Sequence, residues 1–384
     1  MVQQEGHDVV VVGAGIAGLA ATAALVAAGR DTVCLEARNR CGGRLLSTAA
    51  APGALDLGAT WYWDGERRVA DLPARLGIDT FEQHLAGDTL VQDATGVRRL
   101  RGNLIDAPAR RFAPGAEALA RALAAELPPG VVRLDSPVSG VHPRAAGGLE
   151  VRTASSELHA EHVVVAVPPA LALARIDFGS GLSPELVRLA RTTPVWMGAV
   201  VKVVAGCPFA FWREAGLAGA AISRTGPLRE LHDMSGPEGR PAALFGFAAA
   251  QSVGRDFEQE VTTQLAQLFG PAAAEPEALH IQNWSGERWT VPPAVHHLAD
   301  HSLFGHPLYQ RPALDGRLHW ASTETADQYS GHIEGALAAA ERAVTASLTT
   351  EEANSCSRQT RCSVSTTVPV PTPTTCGRTS LRTR

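Results

Sequence analysis

Long hydrophobic runs are scarce in this 384-residue chain. The apolar run at residues 9–12 is far short of a membrane span and follows Glu5 and Asp8 rather than a basic segment, so neither a membrane anchor nor a signal peptide is expected. Excess basic charge is also missing. With 34 Lys and Arg against 39 Asp and Glu, the formal charge is −5, which gives no electrostatic case for nucleic acid or an anionic membrane. Cysteine is sparse: Cys34, Cys41, Cys207, Cys356, Cys362 and Cys376 lack metal spacing and a disulfide framework, so a reducing cytoplasm is expected. His296, His297, His301 and His306 fit no common zinc set and are read as polar surface, so no metal is expected.

What is present organises itself around residues 8–44. A continuous apolar run at 9–12 suits a parallel strand buried on both faces. Gly13-Ala14-Gly15-Ile16-Ala17-Gly18 follows, then an Ala/Leu-rich helical segment to Gly29, a second apolar run at 32–35, and Glu36. This spacing predicts a βαβ unit of a Rossmann-like α/β domain. Gly13 permits the turn off the strand, Gly15 lets a pyrophosphate approach the backbone, and Gly18 lets helix and strand pack closely. The helix start offers N–H groups and a positive dipole end to phosphate. Glu36, about 20 residues on, can take both hydroxyls of an adenosine ribose and disfavours a 2′-phosphate, so FAD or NAD fits better than NADP. A second turn, Ala37-Arg38-Asn39-Arg40-Cys41-Gly42-Gly43-Arg44, is more than a nicotinamide site needs. Its glycine pair and guanidinium suit the longer path of FAD.

From these motifs the chain resembles the flavin-containing amine oxidase family, the group of monoamine and polyamine oxidases, over residues 8–347. The resemblance implies that Gly58, Ala59, Thr60 and Trp61 run beside the flavin and that Val138 meets the adenine through its backbone. It also implies that Lys202 holds a water against flavin N5, and that Trp284 lies near the pyrimidine end. Ser322-Thr323-Glu324-Thr325-Ala326, with Tyr329-Ser330-Gly331 leading into a helix at 333–348, resembles the family's closing motif, although Ser322 replaces its usual glycine. A helix start at Ile333 aimed at the flavin would stabilise the anionic reduced ring, and Glu324 would accept from ribityl or ribose hydroxyls. His332 stands where monoamine oxidases carry a cage tyrosine. Pro293 and Ala294 stand where some members have a flavin-bonding cysteine and an aromatic wall, which implies non-covalent FAD.

Elsewhere the chain reads as two domains built from discontinuous segments. Residues 1–75, 112–178 and 283–350 would form the FAD-binding domain, 76–111 and 179–282 a smaller sheet-based substrate domain, and the Ser/Thr/Pro/Arg-rich 351–384 a disordered tail. Helices are expected at 67–76 and 257–269 and from Pro184, with Ser183 as N-cap, to Arg191. Residues 149–153, 157–160 and 162–167 would form a small antiparallel sheet. Lys202 is the lone charge in an apolar strand and is read as pointing into a cavity, the alternative being an edge-strand solubility charge. Between Leu100 and Phe112 a connection of about a dozen residues replaces a long helical insertion found in most of the family. The active site is then open, or covered by another chain, as in a homodimer, or the chain is a degraded copy. The expected activity is oxidation of an amine C–N bond with O2 reduced to peroxide. The alternatives are a flavin enzyme acting on C–C bonds and a flavin-binding partner protein without activity.

Overall fold

The computed structural model describes residues 4–292 and 301–362. The described residues up to Ser347 form one compact unit containing two seven-stranded sheets. In the first, the strand Gln4–Val12 runs parallel to Thr32–Leu35 on one side and to Glu157–Val165 on the other, while Val132–Arg133 and Leu318–Trp320 extend it, also in parallel. Val9 to Val12 and Thr32 to Leu35 are buried throughout, as strands covered on both faces must be. The helix Ile16–Ala27 makes the crossover between the first two strands.

One expectation fails here. Residues 157–165 are a single nine-residue strand, not two short ones, and its first half carries the antiparallel strands Leu149–Thr153 and Val138–Pro143 on the edge of the main sheet. The polar break at Glu161-His162 misled because Glu161 faces out while His162 is buried, only 1% exposed, against His319 at 3.1 Å. Alternation within one strand was mistaken for a turn.

The second sheet has the order Ala278–Asn283, Val200–Cys207, Ala242–Ala249, Leu228–Asp233, Leu217–Ser223, Asp88–Asp93, Gly96–Leu100. Strand alternation gives Val200–Cys207 two different faces. Val201, Val203 and Ala205 join the core under the helix Phe257–Phe269, through Phe257, Val261, Leu265 and Leu268. Val204 points the other way, with Leu55, Met234 and Phe245. Lys202 lies on this second face, and because its strand is flanked on both sides the edge-strand alternative is excluded.

The helix Arg67–Leu76 ends at Gly77 in the left-handed conformation, and Pro184–Thr192 starts with Ser183 Oγ accepting from Leu186 N–H, both as the sequence predicts. The short connection at 101–108 is pinned by Asp106, whose Oδ1 lies 2.6 Å from buried His232 Nδ1. The last helix runs Ile333–Cys362, so the described part of the expected tail is helical; residues 363–384 lie outside the described residues. No described helix is long and apolar enough to cross a membrane.

Candidate active site

A cavity open to solvent lies where the two sheets meet. Glu36, Arg38, Val138 and Thr290 line one end. Glu36 is 3% exposed and accepts from Ala14 N–H at 2.7 Å and from Arg38 N–H at 2.9 Å, which fixes its carboxylate at the cavity wall. Arg38 is itself tied down by Thr290 Oγ1 at 2.6 Å and Glu287 Oε2 at 3.2 Å.

The middle of the cavity is a cradle without side chains. Gly15 and Gly42 bridge as parallel backbones, and a Cβ on Gly43 would come within 3.2 Å of Gly15 Cα. Gly13, Ala17, Gly42 and Gly43 share this lining, and no side chain caps the helix that Gly15 begins. Its first N–H groups are therefore free to meet an anion. The cradle fits a dinucleotide diphosphate, and a carboxylate fixed where Glu36 lies suits ribose hydroxyls. Gly18 does something else: a Cβ there would sit 1.8 Å from Gly13 O, so its role is close packing of helix on strand, and neither it nor Ala14 lines the cavity.

The other end is aromatic. Trp61, Trp63, Trp196, Phe247 and Trp284 line it with Ala59, Thr60, Thr323, His332 and Ile333. Trp284 is 1% exposed and donates to Leu57 O at 3.0 Å. Thr323 Oγ1 donates to His332 O at 2.9 Å and accepts from Gly331 N–H at 2.8 Å, which sets the loop that leads into the last helix. Gly331 must be glycine twice over: its φ is +88°, and a Cβ would strike the Trp196 ring at 2.6 Å.

Lys202 stands behind this wall rather than in it. It is the only lysine in the chain and is 1% exposed. Its Nζ donates to Gly58 O at 2.9 Å and Thr60 Oγ1 at 2.5 Å, and lies 4.4 Å from the centroid of the Phe245 ring. Burial pulls its pKa down to about 7; Asp56 opposes this and Arg111 adds to it. Gly58 lies 144 residues away in sequence, yet this one ammonium joins the second sheet to the lining segment at 58–60.

Two expected cofactor contacts are already taken within the protein. Glu324 is fully buried and does not line the cavity; Arg44 Nη1 and Nη2 donate to its two oxygens at 2.6 and 3.1 Å, and Trp196 N–H donates to Oε1 at 3.2 Å. Arg44 reaches the lining, but its guanidinium also donates to Trp196 O at 3.1 Å. This pair braces the aromatic wall. Of the histidines weighed for metal, His306 caps a turn through Leu308 N–H and His301 lies edge-on to Trp196 at 5.3 Å. His296 and His297 lie outside the described residues, as do Pro293 and Ala294.

Phe247, Trp196 and Glu66 were not expected as site residues from the sequence, whereas Trp63 belongs to the aromatic stretch expected to wall a flat ring. Phe247 had a signal in retrospect, since it pairs in register with Lys202. Glu66 had none: it is a 2% exposed carboxylate whose partner, His332, is 266 residues away.

The family model described as flavin containing amine oxidoreductase matches residues 90–347, and that of the NAD(P)-binding Rossmann-like domain matches residues 11–76. A Mycobacterium tuberculosis protein that carries the name flavin-containing monoamine oxidase AofH is 27% identical, over 88% of this chain and 95% of its own. About 338 residues of this chain are spread there over 440 aligned positions, so about 100 of those positions have no counterpart here. Among solved structures, cyclohexylamine oxidase from Brevibacterium oxydans superposes with a TM-score of 0.78 at 22% identity, covering 90% of this chain and 99% of its own. A putrescine oxidase bound to putrescine gives 0.78 at 20% identity, covering 89% and 99%. With the family model spanning two thirds of its length, the chain belongs to the flavin containing amine oxidoreductases, FAD-dependent enzymes that act on amines.

Proposed function

We propose that this enzyme oxidises a primary amine whose organic group is apolar and carries no second charge, using non-covalently held FAD and dioxygen. The observation that supports this is the charge of the lining. Among the described lining residues the only carboxylate is Glu36, at the ribose end, so the aromatic end offers no anion to the second ammonium of a diamine. It offers no free guanidinium to the carboxylate of an amino acid either, because Arg44 is held by Glu324. Trp61, Trp63, Trp196 and Phe247 instead bury an apolar group.

When bound, FAD supplies the chemistry, accepting a hydride equivalent from the carbon next to nitrogen and passing two electrons to dioxygen to give peroxide. The chain's own residues do the rest. Glu36 and the glycine cradle anchor the cofactor through ribose and diphosphate. Thr60, Trp284 and the start of the last helix face its ring, and Lys202 stiffens the segment at 58–60 from behind. The aromatic wall positions the substrate and excludes water from it. In this division of labour residues 1–75, 112–178 and 283–350 hold the cofactor and 76–111 and 179–282 complete the substrate side, in a cytoplasmic protein.

The test is to purify the protein, record its flavin absorption before and after denaturation and filtration, and screen amines for peroxide release. A flavin band that passes the filter, with turnover of phenylalkyl or cycloalkyl amines at least tenfold faster than of putrescine or amino acids, is the expected result. Preference for putrescine would overturn the substrate assignment, and a protein that takes up no FAD would overturn the whole reading.

A further inference from the structure

Among the described residues, the aromatic end of the cavity holds one lining side chain with a basic lone pair, His332. Its Nδ1 lies 2.5 Å from Glu66 Oε1. Glu66 is buried, and its other oxygen accepts the N–H of Trp63 at 3.0 Å, so the carboxylate is fixed by the same strand end that supplies the Trp63 wall. The imidazole centroid lies 5.1 Å from Trp63 and 6.5 Å from Trp196. With Nδ1 held by a carboxylate, the tautomer is set: Nδ1 donates to Glu66 and Nε2 carries the lone pair. Nε2 has no hydrogen-bond partner among the described residues, and the side chain is 34% exposed, in the cavity lining.

An alkylamine reaches an enzyme at neutral pH as its ammonium ion. Loss of hydride from the carbon beside an ammonium would leave two positive charges on adjacent atoms, whereas loss from the neutral amine is assisted by the nitrogen lone pair. A proton must therefore leave first. Among the described residues no lining carboxylate at this end stabilises the ammonium, and burial weakens its hold on the proton.

We propose that His332 is the base that takes this proton, with Glu66 as its positioning residue; the inference rests on the amine-oxidising reading above. The N–H bond of R–CH2–NH3+ breaks, the proton goes to Nε2, and the electron pair stays on nitrogen. The resulting imidazolium is balanced by the Glu66 carboxylate. Bound FAD would supply the acceptor for a hydride equivalent from this neutral amine, which would leave R–CH=NH2+ for water to convert to aldehyde and ammonium. The proton held by His332 is the one that, with the hydride equivalent, completes hydrogen peroxide from dioxygen.

The groups facing His332 are few. Glu66 lies on the strand-end turn and Tyr329, at 6.2 Å between rings, on the approach to the helix. Beyond Trp196 lie His301 and the Arg44–Glu324 pair. On the helix itself Glu334 is held by Arg68 and Val69 N–H.

The experiment compares wild type, His332→Gln and Glu66→Gln, each first checked for bound flavin and melting temperature. For an ordinary alkylamine, His332→Gln is expected to lower kcat/KM at pH 7.5 by about 100-fold. The loss should be recovered as pH rises toward that of the free amine, because the neutral substrate then supplies itself. A fluorinated, weakly basic amine of the same shape, largely neutral at pH 7.5, should lose less than about threefold by the same logic. Glu66→Gln should move the acid limb of the wild-type profile to lower pH. A second readout needs no turnover: the 15N shift of a bound, labelled amine lacking an α-hydrogen should report neutral amine in wild type and ammonium in His332→Gln at pH 7.5. Equal losses for both amines with an unchanged pH profile, or ammonium bound in wild type, would overturn the role of His332. Wild type that oxidises no amine at all would instead overturn the functional reading beneath it.

Discussion

Replacing Lys202 by Met separates what the fold needs from what the chemistry needs. The lysine is 1% exposed, and its pKa is pulled from an ordinary 10.5 to about 7, chiefly by burial. A basic group whose folded pKa is depressed binds its proton less well folded than unfolded, so it opposes folding most strongly below pH 7. That opposition fades as pH rises through the window from about 7 to 10.5 and is gone above it. At 1.36 kcal/mol per pH unit the full penalty is about 5 kcal/mol. Against it stands the donor that Met cannot supply: Gly58 O and Thr60 Oγ1 both lose their Nζ partner, and with Thr60 Oγ1 still donating to Gly58 O at 3.3 Å the combined cost is about 1–3 kcal/mol. The net expectation is that Lys202→Met is more stable than wild type by about 2–4 kcal/mol at pH 6, and that the order reverses near pH 10 where neutral lysine still donates. Urea unfolding of the flavin-free protein at pH 6, 8 and 10 measures this. A variant less stable than wild type at pH 6 would refute the reasoning, because the ammonium would then be a net contributor to the fold. If the expected order holds while reoxidation of the reduced flavin slows, a buried charge that weakens the fold has been kept for its chemistry.

The two glycines of the first turn should behave oppositely. Gly15→Ala finds its nearest neighbour, Gly43 Cα, at 4.0 Å, so it should keep the wild-type melting temperature and lose FAD affinity at least tenfold in a flavin titration. Gly18→Ala meets Gly13 O at 1.8 Å and should destabilise by about 3 kcal/mol or more, seen as a large drop in melting temperature with or without FAD. Glu324→Ala strips the partner from Arg44 and should cost about 3 kcal/mol, discounted from the fully buried case because Arg44 is 22% exposed; denaturant titration reads it directly.

The glycine turn, the helix after it and the place of Glu36 at the cavity wall were legible because their requirements are local. Gly13, Gly15, Glu36 and the Gly42-Gly43 turn lie within about 30 residues, and the backbone geometry a diphosphate needs dictates glycine at particular spacings. The same locality made Gly18 readable for its packing role. Glu324 was placed by its motif beside the cofactor, yet motif position does not say which way a carboxylate turns. Its two oxygens are held by Arg44, 280 residues away, a pairing that only the assembled fold brings about.

The substrate half was legible in its parts and not in its assembly, and the reason is long-range pairing. Lys202 could be read as buried from its apolar strand, but not as standing behind Gly58 and Thr60 rather than in the cavity, because that depends on where a segment 142 residues earlier crosses the sheet. It carried a further signal that needs no structure: in a chain with 34 Lys and Arg, every basic position but this one is arginine. A guanidinium stays charged in proteins and needs a planar fork of acceptors, whereas an ammonium can be buried on two acceptors and can lose its proton. Gly58 O and Thr60 Oγ1 are those two acceptors. Lys202→Arg should therefore fold less well than wild type by about 1–3 kcal/mol from overpacking in denaturant titration at pH 6, and still less well than Lys202→Met, because it keeps the buried charge that methionine removes. An arginine variant as stable as wild type would mean that the pocket behind Gly58 tolerates the larger fork, and that size does not explain why a lysine stands there.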